Sequence, residues 1–409
     1  MSGLIRDVGL AIRNLRRNPG RSFVAIFTVS SGVIAFLLAG GFIGWIFEQM
    51  REGAIHSQFG HAQIVRPGYF EKGIADPYAF LLPAQPAALE SIEKIPGFQS
   101  VAPRLAFSGL ISRGEITVSF IGEGVDPVRE KPISSRVQIL GGQDLAAADA
   151  REVLLGEGLA TSLGAAPGDR VVLLATAANG GASAIELTVA GTFATYSKEY
   201  DDSALRLPIG SARKLMRVAG ATSWIVLLDH TEQTEQFIQA ARTGLPASEF
   251  EVVPWIALAD FYNKTEALFS KQVNVVKIII GLIIILTISN TLTMSVLERT
   301  TEIGTSLAVG VRGGGVMRLF IIEGVLIGVA GGLAGVILGY LLALIISTIG
   351  IPMPPPPGMA HGFIGQIVVT PALAIDAVVL ALVTTLLASA FPAWRAGRMN
   401  IVDALRYSQ

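Results

Sequence analysis

The chain has 409 residues, no cysteine and a formal net charge of −1, with 31 lysines and arginines against 32 aspartates and glutamates. Hydrophobic residues make up 51% of it, charged residues only 15%, and its mean hydropathy is +0.56. This apolar content excludes a disordered chain, and the absence of cysteine excludes disulfides and thiolate metal sites. The balanced charge argues against a general nucleic-acid binder, which needs a basic face. The composition therefore predicts a membrane protein with room for one large domain outside the membrane.

Long uncharged runs predict four membrane-spanning helices. A helix rises about 1.5 Å per residue and a bilayer core is roughly 30 Å thick, so about 20 apolar residues can span it. The third and fourth runs are separated by a short proline-rich segment at 349–371, which cannot continue a helix. The predicted spans are residues 22–47, 273–297, 319–348 and 372–391.

The distribution of arginine predicts the orientation of these spans, because cytoplasmic loops carry an excess of basic residues. Arginines occur in residues 1–21, in the 298–318 loop and in the tail 392–409, whereas the 349–371 loop has no lysine or arginine. We therefore expect both termini and the 298–318 loop to be cytoplasmic, and residues 48–272 to lie outside. An apolar stripe at helical spacing within residues 1–21 predicts an amphipathic elbow helix on the inner membrane surface.

The region 48–272 has the composition of an ordinary soluble domain and is predicted to be mixed α/β. A β-α-β pattern at each end of it, around a strand-rich middle, predicts one subdomain interrupted by an inserted second one. From Trp255 to Leu297 the only helix-weakening residue is Gly281, so we expect one continuous helix there. Strands are predicted at 61–66, 98–107, 115–124, 171–175, 184–191, 224–228 and 250–253, and helices at 86–94, 156–163, 211–218 and 231–242.

The sequence carries no recognisable catalytic motif. The dipeptide Gly-Lys does not occur, which excludes a P-loop within these residues, and neither H-E-x-x-H nor G-x-S-x-G is present. The four histidines, at positions 56, 61, 230 and 361, are scattered and are interpreted as single surface residues. We expect no catalytic residue, metal or cofactor on this chain, and hence no enzyme.

Two motifs in the predicted cytoplasmic segments are more specific. Glu-Arg-Thr-Thr-Glu-Ile-Gly occupies 298–304 directly after the second span, and its glutamates, Glu298 and Glu302, are expected to share a helix face. Composition alone also allows a solvated connector here. Pro-Ala-Trp-Arg-Ala at 392–396 is followed by Ala-Leu-Arg at 404–406. With the glycine-rich third span, these motifs resemble the permeases of the MacB/LolC/LolE/FtsX superfamily, and stretches of the outer region resemble its LolC/LolE lipoprotein-release branch most.

The resemblance implies an architecture. The chain would be the permease subunit of an ABC transporter in the bacterial inner membrane, with ATP and Mg²⁺ bound by a separate ATPase dimer. The 298–318 loop would form the coupling helix, which enters a groove of the ATPase. The outer region, between helices 1 and 2, would comprise a Porter-like subdomain (48–125 and 220–254), a Sabre-like insertion (126–219) and a stalk (255–272). The residues that would face or frame the ATPase are Glu298, Arg299, Glu302, Ile303, Gly304 and Arg312.

The resemblance also implies a function. The permease would use mechanotransmission to extract or export a lipoprotein, lipid or other amphiphile on the periplasmic side. Its partners would be a second permease copy or a paralogue, a periplasmic carrier or adaptor protein, and membrane lipids, but no nucleic acid. Two alternatives remain open, namely MacB-like efflux of drugs or peptides and FtsX-like signalling to a periplasmic hydrolase.

The third predicted span has a special feature, since its glycines recur at four-residue spacing, which lets helices approach closely. They predict either a dimer seam or packing within one subunit. Glu323, one turn inside the same span, is predicted to have a structural or coupling role, with substrate contact as the alternative. The glycines are Gly324, Gly328, Gly332, Gly335 and Gly339.

Two segments of the outer region are candidates for partner contact. Prolines 354–357 predict a stiff spacer rather than a docking peptide. The segment 67–86 combines turn residues with apolar side chains, which either cover the edge of a core or contact a substrate or carrier. Its candidate residues are Tyr69, Phe70, Tyr78, Phe80, Leu81 and Leu82.

Overall fold

The structure is a computed structural model that describes residues 2–73, 76–83, 88–354, 362–401 and 404, with the side chains of 2–5 and 88 left aside. Its helices are α1 Ser2–Arg17, α2 Pro19–Ala54, α3 Ala88–Glu93, α4 Pro127–Ile133, α5 Glu157–Leu163, α6 Lys198–Asp201, α7 Ile209–Met216, α8 Thr234–Gly244, α9 Trp255–Leu258, α10 Asp260–Glu298, α11 Thr300–Ala308, α12 Gly313–Ile349 and α13 Pro371–Gly397.

The strands are β1 Ala62–Val65, β2 Phe98–Arg113, β3 Ile116–Val125, β4 Gln138–Gly142, β5 Glu152–Gly156, β6 Arg170–Thr176, β7 Ala182–Ala194, β8 Ala204–Pro208, β9 Ser223–Leu228, β10 Glu251–Pro254, β11 Ile351–Met353 and β12 Phe363–Gly365. The chain divides into two compact units. The first, the helical unit, is Met1–Phe47, Glu266–Pro352 and Ile364–Gln409, and the second, the sheet unit, is Glu48–Thr265 and Met353–Phe363.

Within the residues that the structure describes, four helices are long and apolar enough to cross a membrane, which confirms the predicted number. They are α2 with the turn that follows it (Pro19–Phe59), α10, α12 and α13, and each extends beyond its uncharged run. The predicted helix from Trp255 to Leu297 is wrong at its start. Ala259 has φ −89° and ψ 60°, so α9 ends before it and α10 begins at Asp260.

Glycines of α12 allow it to pack closely against two other helices of the same chain. A Cβ placed on Gly324 would lie 2.6 Å from the Ser389 Cβ of α13, and Gly328 and Gly332 also face α13. Gly331, Gly335 and Gly339 form a second row that faces α2. Both rows are therefore occupied by contacts within one subunit.

The sheet unit is built on a ten-stranded mixed sheet in the order β10-β1-β9-β2-β3-β8-β5-β7-β4, with β6 paired to β2 and β7. β2 is 16 residues long and connects the two parts of the sheet. Its first half pairs with β9, and its second half pairs with β3 and β6. Helices α7 and α8 lie against separate apolar cores of this unit. The mixed α/β class that the sequence predicts is confirmed.

Three strands of the ten-stranded sheet were not predicted from the sequence, namely β4, β5 and β8. β8 contains Arg206, which looks unsuited to a buried strand but is only 3% exposed. Its Nε donates to Glu123 Oε2 at 3.1 Å, and its Nη2 donates to the Ser57 carbonyl at 2.6 Å. Burial alone would raise the pKa of Glu123, but Arg104 and Arg206 outweigh it and lower the pKa. Paired charges thus allow a polar sequence to occupy the interior.

Several predicted features fall partly outside the described residues. Of the 67–86 segment the structure describes 67–73 and 76–83, and of the helix predicted at 86–94 it describes residues from 88 onward. Of the proline spacer at 354–357, the structure describes only Pro354. Of the tail motif, it describes 392–396 and Ala404 but neither Leu405 nor Arg406.

Adding a single methyl group between α12 and α2 should destabilise the helical unit. A Cβ on Gly335 would lie 2.7 Å from Val33 Cβ and 2.9 Å from the Ser30 carbonyl oxygen. We expect Gly335→Ala to lower the free energy of unfolding by about 1–3 kcal/mol, the usual cost of overpacking. The measurement is the thermal unfolding midpoint of the detergent-purified protein.

Gly44 of α2 is the matched control, because nothing lies within 4 Å of a Cβ placed on it. Gly44→Ala should leave the midpoint unchanged or raise it, since alanine is the better helix former. Equal destabilisation by both variants would contradict the close packing of α12 on α2.

Candidate functional site

The segment that follows the second apolar helix turns at Arg299. α10 ends at Glu298, Arg299 has a non-helical conformation (φ −98°, ψ 16°), and α11 begins at Thr300. The expectation that Glu298 and Glu302 share one helix face is therefore wrong, because the two glutamates belong to different helices. Each of them meets an arginine from the N-terminal part of the chain instead.

A buried ion pair holds this turn in place. Arg299 Nη1 lies 3.1 Å from Glu323 Oε1 of α12, and the two side chains are 8% and 2% exposed. Asn14 of α1 donates from Nδ2 to the same Glu323 oxygen at 2.7 Å, and Arg299 Nη2 donates to the Asn14 carbonyl at 3.2 Å. A charge in an apolar interior is costly unless it is paired. Asn14, Arg299 and Glu323 are called the buried clamp below.

Exposed ion pairs surround the buried clamp. Arg17 Nη2 lies 2.7 Å from Glu302 Oε1, and these side chains are 53% and 58% exposed. Exposed pairs contribute little to stability, about 0–1 kcal/mol, and can exchange partners at low cost. The exposed pairs are Arg17–Glu302 and Arg21–Glu298. In a third pair, Asp7–Arg318, the arginine is exposed but the Asp7 side chain is only 15% exposed.

α11 has a buried face and an exposed face. Ile303 is 7% exposed, and Gly304 faces Ala404, whose Cβ would be 2.7 Å from a Cβ on Gly304. Glu302 is exposed on the other face, and the turn after α11 begins at Val309, which is 82% exposed. Among the residues expected to face or frame a partner, the exposed ones are Glu298, Glu302 and Arg312, and the buried ones are Arg299, Ile303 and Gly304.

α1 contacts the rest of the helical unit through both polar and apolar side chains. Asp7, Ala11 and Asn14 follow each other at helical spacing, and they meet α12 through the Arg318 and Glu323 contacts already described. Ala11 is fully buried, whereas Leu10 and Ile12 are 40% and 41% exposed. Leu15 also packs against the apolar core of the helical unit. α1 is therefore held by polar contacts and by Leu15, while Ile12 of the predicted stripe stays exposed.

The aromatic segment 67–86 is described at 67–73 and 76–83, where its candidate side chains pack against each other and the sheet core. Leu82 is fully buried and Tyr69 is 8% exposed. The Tyr69 ring lies 6.3 Å from that of Phe80, and Tyr78 and Leu81 contact the apolar core. Phe70 lies edge-to-face with Tyr69 at 5.1 Å and is partly buried. These side chains thus contact one another and the core in this conformation.

An exposed apolar group lies elsewhere on the sheet, and the sequence analysis did not identify it. Leu110 of β2 is directly opposite Leu174 of β6, and they are 43% and 44% exposed. Val172 and Ile121 lie diagonally from Leu110 on the same face, at 43% and 52% exposed. These four residues are called the apolar stripe below. The sequence signal for this surface was the run of apolar residues at consecutive positions in these strands. The same pattern is typical of fully buried strands, so it did not point to an exposed face.

His61 is not the surface residue that the sequence analysis expected. It is 1% exposed, its Nδ1 accepts the Leu228 N–H at 3.1 Å, and its Nε2 lies 3.1 Å from Thr231 Oγ1. Burial lowers its pKa to about 4, so the ring is neutral near pH 7. His361 lies outside the described residues. Among the residues that the structure describes, no group of three or more histidines, aspartates and glutamates could hold a metal ion.

Comparison with known protein families accounts for most of the chain. Residues 22–243 match the MacB-like periplasmic core domain, and residues 274–401 match the FtsX-like permease C-terminal domain. The chain belongs to the FtsX-like permeases that carry a MacB-like periplasmic core domain. It is therefore an ABC-transporter permease of the LolC, MacB and FtsX type and a multi-pass membrane protein.

Individual relatives and a solved structure show the same similarity. The lipoprotein-releasing system transmembrane protein LolC of Xylella fastidiosa is 27% identical over 345 residues, which are 76% of this chain and 78% of LolC. The macrolide export ATP-binding/permease protein MacB of Rhodospirillum rubrum is 27% identical over 97% of this chain and 59% of MacB. The crystal structure of the periplasmic region of MacB from Actinobacillus actinomycetemcomitans covers 51% of this chain and 94% of that region, with 13% identity and a TM-score of 0.37.

Removing the acid of the buried clamp should destabilise the permease far more than removing an exposed acid. Glu323→Ala leaves the Arg299 charge buried without a carboxylate, which costs about 3–5 kcal/mol. Glu302→Ala should cost less than about 1 kcal/mol, because both partners of that pair are exposed. Thermal unfolding of the detergent-purified variants measures the difference.

A double variant separates the effect of losing the ion pair from the effect of leaving the Arg299 charge buried and unpaired. Arg299→Met with Glu323→Leu replaces two charges by apolar side chains and should recover much of the stability that Glu323→Ala loses. Equal unfolding midpoints for Glu323→Ala and Glu302→Ala would show that the clamp does not hold the turn.

Proposed function

We propose that this permease transmits the motion of a separate ATPase to a domain on the opposite side of the membrane, where it extracts or exports a lipoprotein, lipid or other amphiphile. The observation that carries the proposal is α11, a short helix with an exposed polar face and a buried attachment. In this proposal α11 is the coupling helix and contacts the ATPase dimer, which binds ATP and Mg²⁺.

The construction of α11 suits a mechanical contact. Its inner face is fixed through Ile303 and Gly304, and the turn before it is fixed by the buried clamp. Its outer face carries Glu302, whose intramolecular partner Arg17 is also exposed and can be replaced by a basic group of the ATPase. A push on the outer face would therefore move α10, α12 and α1 together rather than bend the turn.

The proposal also fixes a location and an orientation. The permease would reside in the bacterial inner membrane, with both termini and α11 in the cytoplasm, in agreement with the arginine distribution. The sheet unit would be periplasmic and would be divided into a Porter-like part and a Sabre-like insertion. Both glycine rows on α12 are used within this subunit. The second permease copy or paralogue would therefore bind through another helix face.

The apolar stripe is the surface of the sheet unit that best suits an amphiphile or a carrier loop. Exposed contiguous apolar residues are characteristic of such contacts, whereas the six candidate side chains of the 67–86 segment are buried or half-buried. Release of a lipoprotein is the first candidate because stretches of the outer region resemble the LolC/LolE branch most, and the LolC relative is 27% identical over 76% of this chain. MacB-like export is the second candidate, since the alignment with the MacB relative covers 97% of this chain.

A charge reversal on the outer face of α11 tests the coupling role. Glu302→Lys should reduce ATP-dependent release of substrate severalfold in proteoliposomes that contain the permease and its ATPase, because it places a positive charge where a basic partner is expected. Membrane insertion and the unfolding midpoint should change little. Release of a fluorescent lipoprotein and ATP hydrolysis are measured together.

Two comparisons make this test specific. Glu186→Lys breaks an exposed ion pair with Arg170 in the sheet unit and should leave coupling intact. Arg17→Glu combined with Glu302→Lys restores an intramolecular ion pair but should not restore coupling. Full recovery in the double variant, or unchanged release in Glu302→Lys, would contradict a contact between Glu302 and the ATPase.

A further inference from the structure

A groove of about 360 Å³ lies in the helical unit between the end of α10 and the end of α13. Its wall is mostly apolar and includes Val296 and Leu297 of α10 and Met399 after α13. Its rim carries Arg395 and Arg398, both exposed. The groove therefore combines an apolar wall with two positive charges at one side.

The charges of this rim differ from those around the buried clamp. The arginines of the clamp region, at positions 17, 21, 299 and 318, each pair with a carboxylate. Within the part of the chain that the structure describes, neither Arg395 nor Arg398 has an ion-pair partner. Arg398 lies over the ring of Trp394 at 5.0 Å, which holds the guanidinium at the rim. Among the described residues, the groove thus has two arginines without a carboxylate partner, at the end of a helix that is long and apolar enough to span a membrane.

The position along α13 places the groove at the depth of lipid headgroups. α13 is one of the four helices that can cross a membrane, and Arg395 lies in its last turn. Trp394 is 48% exposed and stacks with Phe391 at 6.4 Å. Tryptophan is enriched at the membrane–water interface, where one end of its ring is wet and the other apolar. A ligand here meets water at one end and hydrocarbon at the other.

We propose that this groove binds one anionic phospholipid. The headgroup phosphate lies between Arg395 and Arg398, and an acyl chain follows the apolar wall formed by Val296 and Leu297. Basic pockets between transmembrane helices are suited to acidic headgroups. Because Thr300, the first residue of α11, also lines the groove, the bound lipid braces the junction of α10 and α11. The site rests on the membrane location of the helices and not on the proposed cargo or ATPase.

Lipid titration of the full-length protein in detergent tests this site. Phosphatidylglycerol should raise the thermal unfolding midpoint saturably, with one high-affinity lipid per chain by native mass spectrometry, and phosphatidylcholine with the same acyl chains should not. Each arginine near an anionic surface contributes roughly fivefold in affinity, so Arg395→Gln with Arg398→Gln should weaken binding about thirtyfold.

Two further variants distinguish a built site from general charge attraction. Arg13→Gln with Arg16→Gln removes two exposed arginines of α1 that do not line the groove, and it should leave high-affinity binding intact. Leu297→Trp fills the groove without changing charge and should reduce binding as much as the loss of both rim arginines.

Several results would overturn the proposal. Equal loss in the α1 control would show unspecific attraction, and saturable binding that survives both the rim variants and Leu297→Trp would place the lipid elsewhere. Stabilisation by inorganic phosphate alone, to the same extent as by phosphatidylglycerol, would show an anion site without lipid specificity. Absence of any lipid effect, together with loss of ATPase binding in the rim variants, would assign the groove to a protein contact.

Discussion

The helical unit depends on one buried ion pair, Arg299 with Glu323. Two charges inside an apolar bundle are tolerated only where they meet each other and further hydrogen-bond partners. Arg299 is the residue at which α10 passes into α11, Glu323 lies on α12, and Asn14 brings α1 to the same carboxylate. Three segments that are far apart in sequence are thereby held at one point, and the orientation of α11 follows from it.

Close packing of α12 allows this pair to be buried. The glycine row that includes Gly335 lets α2 approach one side of α12, and the row that includes Gly324 lets α13 approach the other. Around this rigid base the ion pairs are exposed and individually weak, as in the Arg17–Glu302 pair. The buried clamp thus attaches α11 firmly to the helical unit, while the exposed ion pairs on its surface can exchange partners. A mechanical contact with a second protein requires both properties.

The sequence predicted those features that depend on residues close together in the chain. The four apolar helices, the mixed α/β class of the sheet unit and the family followed from uncharged runs, turn residues and short motifs. Features that depend on distant partners were missed. The break at Arg299, the buried strand around Arg206 and the burial of His61 all require ion pairs or hydrogen bonds to residues from other segments. Local patterns carry no information about such partners.

Site-specific crosslinking from the turn after α11 tests the central claim most directly. A photoreactive amino acid at Val309, which is 82% exposed, should crosslink in intact cells to a protein that carries a P-loop, and ATP depletion should change the yield. The same probe at Ile349, 79% exposed at the opposite end of α12, should not capture that protein. Capture of the ATPase from position 349 but not from position 309 would contradict the account.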